Sequence, residues 1–221
     1  MARGTETRRA CCVARALLAA AIGRSLEFRL LAGTRACTGR VTAELQTLAI
    51  PSTVDCSIMK IRVATEADRD AIWNIFHEIV AAGDTYAFDP KMSREEALAY
   101  WSRADTHSYI AEQDGRVVGT YILKPNQLGP GSHVANAAFM VALDAQGSGV
   151  GRSMAEHCLS EARRMGFRAM QFNFVVSTNG PAIHLWEQLG FKIVGTLPGA
   201  FHHPEKGYVD VYVMYRSLLD D

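Results

Sequence analysis

The segment Gln146-Gly147-Ser148-Gly149-Val150-Gly151 constrains the fold more than any other. It lies between a long β-prone run, His133–Leu143, and an apolar stripe at helical spacing: Val150, Met154, Cys158, Leu159, Ala162 and Met165. A strand therefore enters a helix through glycines. Glycine lets the backbone approach a bound group closely, and the first amides of a helix have no internal partner. Those amides point outward at the positive end of the helix dipole, an anion site suited to a pyrophosphate. Taken alone, the cluster also fits a plain tight strand–helix turn. No Gly-Lys-Ser/Thr follows, which excludes a phosphate loop of the Walker type. The next strand carries Met170-Gln171-Phe172-Asn173, without the terminal acid of a dinucleotide-binding fold.

The surrounding chain reads as short alternating elements. Lys60–Ala64 is a first strand. Thr65 to Asp68 resembles a capping box with Asp in the Glu position. Ile72, Ile75, Phe76, Ile79 and Val80 follow at helical spacing, and Gly83 stops the helix. Ser93-Arg94-Glu95-Glu96 is a full capping box opening a helix to about Arg103. Ser108–Gln113 and Arg116–Leu123 flank Asp114-Gly115, a two-residue hairpin signal. After the glycine turn, Gly166 closes the helix and Phe167–Val176 is a strand. Asn179 caps a helix to Leu189, and Phe191–Leu197 and Tyr208–Tyr215 are the last two strands. The order β-α-α-β-β-β-α-β-α-β-β predicts a mixed α/β domain around one sheet.

Composition sets the limits of that domain. The 221 residues carry 23 Lys+Arg and 23 Asp+Glu, so no basic field points to nucleic acid. No apolar run reaches the ~18–20 residues of a membrane span. The balance hides a division near Ile58–Met59. Residues 1–58 hold eight Arg, no Lys and four acids, and four of the five Cys; all His and Trp lie in 59–221. We expect 1–58 to be an Arg/Ala-rich extension outside the functional unit, with a targeting peptide and a functional arm as alternatives. Residues 59–221 are the expected domain. Adjacent Cys11 and Cys12 lack zinc-site spacing, which favours free thiols in a reduced, cytoplasmic setting.

The pattern Gln-x-x-Gly-x-Gly after a strand resembles the acetyl-CoA motif of the GCN5-related N-acetyltransferases (GNAT). A second signature of that family, Asn-x-x-Ala-x-x-x-aromatic-x-x-x-Gly-Phe, is matched by Asn179, Ala182, Trp186, Gly190 and Phe191. The resemblance covers residues 59–221. It implies the GNAT fold, a twisted, mostly antiparallel mixed sheet with about four helices, and acetyl-CoA as cofactor. It further implies that main-chain groups of Phe139, Met140 and Val141 pair with the pantetheine arm. Gly147, Ser148, Gly149, Val150, Gly151, Arg152 and Ser153, with Gln146, would hold the pyrophosphate. Asn179, Ala182 and Trp186 would line the thioester end. Rate would come from positioning a neutral amine and from amides that stabilise developing negative charge. A homodimer stays open.

The sequence departs from the family in two places. Many members carry a Tyr acid where Trp186 stands, and an indole N–H cannot act as an acid at neutral pH, so Trp186 reads as a wall for the cofactor. Many carry a Glu base on the fourth strand; here His133 to Leu143 holds no carboxylate, and His133 reads as a solvated strand end. Asparagine is depleted in strands, yet Asn136 and Asn173 occupy neighbouring strands with Asn179 at the adjacent helix start. We expect them to converge as the catalytic set that holds substrate and thioester, or else to cap bulges and the split between strands. The trio is similar to fungal acetyltransferases acting on cyclic imino acids such as azetidine-2-carboxylate. The loop from Asp84 to Phe88 would cover the acceptor, with Tyr86 and Phe88 as substrate contacts or as core. His202-His203-Pro204 reads as an exposed loop. The expected partner is a small-molecule amine, an amino or imino acid. A peptide amine, a toxic amino-acid analogue and a catalytically silent acyl-CoA-binding module are the alternatives.

Overall fold

The computed structural model describes residues 59–219. The extension expected for 1–58 lies outside the described residues. Seven strands form one sheet in the order β1-β2-β3-β4-β5-β7-β6. They are β1 Lys60–Val63, β2 His107–Gln113, β3 Arg116–Pro125, β4 Val134–Val141, β5 Ala169–Val176, β6 Lys192–His203 and β7 Gly207–Ser217. Four helices cover it: α1 Arg69–Ala82, α2 Arg94–Trp101, α3 Val150–Arg164 and α4 Gly180–Gln188. Every pairing is antiparallel except β4 with β5.

Local chemistry sets the element ends. At α2, the Ser93 side chain accepts from the Glu96 amide while Glu96 reaches back to the Ser93 amide. Before α1, Asp68 accepts from both the amide and the hydroxyl of Thr65. Asp114 (φ 52°) and Gly115 (φ 75°) make the tight β2–β3 turn with both residues left-handed.

Strand alternation divides the core between the two faces. Tyr121, Ala137, Met170 and Phe172 turn toward α3 and α4, where they meet Met154, Cys158, Leu159 and Trp186. Ile110, Ile122 and Met140 turn toward α1 and α2, against Ile75, Phe76, Leu98 and Trp101. The one buried hydroxyl on this second face is satisfied: Thr120 accepts from the Trp101 indole (2.9 Å) and donates to the Tyr109 carbonyl (2.9 Å). No helix among the described residues is long and apolar enough to cross a membrane.

One expectation is corrected. The last two strands do not stop at Leu197 and resume at Tyr208. β6 continues to His203 and only residues 204–206 turn. The register shifts between Leu197 and Phe201, so Pro198, Gly199 and Ala200 bulge out rather than end the strand. The Asp210 carboxylate accepts the Gly199 amide (2.9 Å) and holds the bulge. His203 is therefore a buried strand residue and not part of an exposed loop.

Candidate active site

The site is built where the sheet opens. β4 and β5 are paired only at Val134–Ala169 and Ala135–Met170. Beyond that point β5 carries an extra residue, because its register against β7 shifts between Phe172 and Val175. β4 meanwhile keeps its full ladder with β3 as far as Gly119–Val141. Main-chain groups alternate between the two sides of a strand in an antiparallel ladder. Ala142 and Val134 both bond across to the β3 side, so the even-numbered residues between them do too. Ala137, Phe139 and Val141 thus present their N–H and C=O groups to the parted edge. Met140 does not: its main chain faces Thr120, and its side chain lies in the α1/α2 core. That corrects its expected place beside Phe139 and Val141 as a cofactor contact.

The glycine turn lies at the open end of β4. Gly147 (φ 75°) and Gly149 (φ 94°) are left-handed, and a Cβ at either would meet nothing within 4 Å. The requirement for glycine there is conformational, and the space above the turn is open. The first bond of α3 runs from the Ser153 amide to Gly149 O. The amides of Val150, Gly151 and Arg152 have no turn behind them to bond. Arg152 stands beside them, bonded to Gln188 of α4 and 3.6 Å from Glu156. The Ser148 and Ser153 hydroxyls turn to the carbonyls of Ala145 and Gly149. Gln146 joins a short 3-10 turn to this loop.

The side walls are aromatic. Trp186 packs on Phe139 (5.1 Å between ring centres) and Phe172 (4.7 Å), with Phe191 behind. It is 8% exposed. Asn179 caps α4: its Oδ1 accepts the Ala182 amide (3.2 Å), which leaves the Nδ2 as its available donor.

Asn136 and Asn173 are linked through Gln171, a residue the sequence reading missed, as it missed Asn126. Asn136 Nδ2 donates to Gln171 O (2.8 Å), one step past the last paired residues, so a side chain continues the ladder where the backbone stops. Gln171 Nε2 donates to Asn173 Oδ1 (2.8 Å), and Asn173 Nδ2 donates to Asn126 Oδ1 (2.6 Å). Four carboxamides therefore line the head of the split. Asn179 makes no bond to them. The spacing of Gln171 and Asn173 along one strand face was a usable signal for Gln171; nothing local marked Asn126, which arrives on the β3–β4 connection.

The loop 83–92 closes over the head of the split. The Tyr86 hydroxyl bonds to the Phe139 carbonyl on β4. Burial pushes its ionisation above the ordinary tyrosine value, so it stays a donor. Phe88 does not face this site: it packs on Phe76 (5.1 Å), Tyr100 (5.0 Å) and Tyr86 (5.8 Å), the core alternative for that residue. His133 is exposed and turned to Pro130 O (3.0 Å). Beside Asn179 and Thr85 lies an open cleft of about 520 Å³, bounded opposite by His203 and Lys206.

These features fit a long anionic cofactor: strand-edge main-chain groups without a β5 partner, with only the Phe139 carbonyl taken by Tyr86, an open left-handed glycine turn, free helix amides and a nearby guanidinium. Comparison with known proteins agrees. The model of the acetyltransferase (GNAT) family matches residues 73–191. The N-acetyltransferase aca1 of Schizosaccharomyces pombe is 31% identical over 161 residues, 64% of this chain and 77% of that protein. The L-amino acid N-acyltransferase MnaT of Escherichia coli is 27% identical over 144 residues, 63% of this chain and 83% of that one. A GCN5-related N-acetyltransferase from Kribbella flavida superposes with a TM-score of 0.70 at 47% identity, covering 72% of this chain and 97% of its own. The Salmonella typhimurium acetyltransferase yncA, solved with acetyl-CoA, gives 0.66 at 25% identity, covering 75% and 96%. Strand split, glycine turn and comparisons lead to one conclusion: this chain belongs to the acetyltransferase (GNAT) family and is an acetyl-CoA-dependent acetyltransferase.

Proposed function

We propose that the chain acetylates the amine of a small polar metabolite, an amino or imino acid. The observation that carries this reading is the cleft of about 520 Å³ beside Asn179, a volume in the range of small-ligand pockets. The relative named as an L-amino acid N-acyltransferase supports the same substrate class.

When bound, acetyl-CoA supplies the acetyl group as a thioester. The amides of Gly147 to Ser153 and the Arg152 guanidinium would hold its pyrophosphate, with Arg152 released from Gln188. The Phe139 N–H and the main-chain groups of Val141 would be offered to the pantetheine, since Tyr86 already holds the Phe139 carbonyl, and Trp186 with Ala182 would exclude water along one side. The Asn179 Nδ2 would reach the thioester end. Asn136 and Asn173, locked by Gln171 and Asn126, would orient the acceptor without adding charge.

β4 offers no carboxylate base. The acceptor amine would have to arrive neutral, so kcat/KM should rise with pH as that amine deprotonates. A cytoplasmic setting completes the reading. The test is thiol release from acetyl-CoA by the purified full chain against amino acids, imino acids and peptide amines. Saturable release with amino or imino acids supports the reading; release with peptides alone, or with none, overturns it.

A further inference from the structure

The β6–β7 turn carries a buried imidazole that the catalytic scheme does not use. His203 is 6% exposed and is the last residue of β6. Its Nδ1 lies 3.1 Å from the Glu205 amide and 3.3 Å from the Lys206 amide. Both partners are main-chain N–H donors, so Nδ1 must accept, and the proton of the neutral ring sits on Nε2. Phe201 stands edge-on to the ring (6.5 Å). The Nε2–H has no protein partner among the described residues, and the ring lines the cleft beside Asn179. The tautomer is thus fixed, and the remaining donor belongs to a ring that lines the cleft.

The charges around the cleft are also unspent. Lys206 lines the same wall, and Asp84 of the 83–92 loop lines the other; neither forms an ion pair among the described residues. Glu205 lines the cleft as well. On that wall Lys206 and His203 are the side chains that can donate to an anionic end.

We propose that His203 Nε2–H and the Lys206 ammonium form the seat for the acceptor's carboxylate. This rests on the reading of the chain as an amino-acid acetyltransferase. It makes the β6–β7 turn the element that separates amino acids from plain amines. The discrimination rests chiefly on the buried His203, whose donor is left unpaired by a substrate without the carboxylate, whereas the exposed Lys206 keeps its water.

The test compares kcat/KM for L-amino acids with that for the amines formed by removing their carboxyl group, using the full chain. The wild type should prefer the amino acid at least tenfold. His203→Asn keeps an oxygen where Nδ1 accepts the turn amides but removes the outer donor; Lys206→Met removes the charge and keeps the length. Each should lose at least fivefold of the preference. An unchanged preference in both variants, or a wild type indifferent to the carboxyl group, overturns the seat. If no amine is acetylated, the function proposed above fails. Equilibrium binding of the same ligand pairs to the enzyme–CoA complex then decides the seat by itself: equal binding of acid and amine overturns it, and preferential binding lost in both variants upholds it.

Discussion

The Tyr86 hydroxyl donates to the main-chain carbonyl of Phe139, a residue 53 positions away on the strand that borders the split. The bond ties the loop after α1 to the edge where β4 has lost its neighbour.

Tyr86→Phe removes only the hydroxyl and keeps the ring stacked on Phe88 (19° between planes). A net hydrogen bond is worth about 1 kcal/mol. We expect a stability loss of that size in urea unfolding, and faster amide hydrogen exchange confined to residues 83–92. Unchanged exchange there would disconnect the loop from the strand.

Gly149→Ala tests the glycine turn. Nothing within 4 Å would clash with the methyl group. The cost is the left-handed backbone at φ 94°, about 1–2 kcal/mol for a residue with a Cβ. Relaxing that strain tilts the first amides of α3. Acetyl-CoA should bind about tenfold more weakly by calorimetry, while the acceptor preference stays as in the wild type.

Gly119→Val tests how closely α3 lies on β3. A Cβ there would come within 2.8 Å of Met154 Cε and 3.1 Å of Val150 Cγ1. The methionine end can swing away; the valine cannot. Overpacking of this kind costs ~1–3 kcal/mol. Adding Met154→Ala should recover part of the loss, since the two changes share one space.

Glu161 sets part of the acid limit of stability. It accepts from Arg164 (2.7 Å) and from the Tyr109 hydroxyl (2.9 Å). The Arg164 guanidinium, with Tyr109, holds its carboxyl at about 2, below the ordinary 4.5. The unfolded chain therefore binds a proton first as pH falls. The stabilisation is fully present above about pH 4.5 and is lost as pH drops toward 2. Glu161→Gln should flatten the unfolding free energy over that window. An unaltered acid limb would place the charge-linked stability elsewhere, with Asp68, held low by Arg62, as the next carboxylate to test.

Local signals carried most of the fold into view. The Asp114-Gly115 turn, the Ser93–Glu96 capping box and the stripe from Val150 each act within a few residues, so spacing alone reveals them. The Gln146–Gly151 turn works the same way. The β6 bulge did not announce itself, because Pro198 and Gly199 usually end strands, and the contact that keeps β6 going comes from Asp210 on β7. His203 was hidden for the same reason: the burial of a residue beside a turn depends on which strand pairs beyond it. Asn126 joins Asn173 across 47 residues of sequence, a relation no periodicity contains. The pairing of Met140 toward β3 follows from register alone.

The most direct test is a crystal structure of the full chain with CoA and an N-acetylated amino acid bound together. The account places the pantetheine between β4 and β5, bonded to the main chain of Phe139 and Val141, with the pyrophosphate on the amides of Gly149 to Arg152. It places the acyl end beside Asn136 and Asn179 and the product carboxylate against His203 and Lys206. A cofactor bound outside the split, or a product outside the cleft beside Asn179, would contradict it.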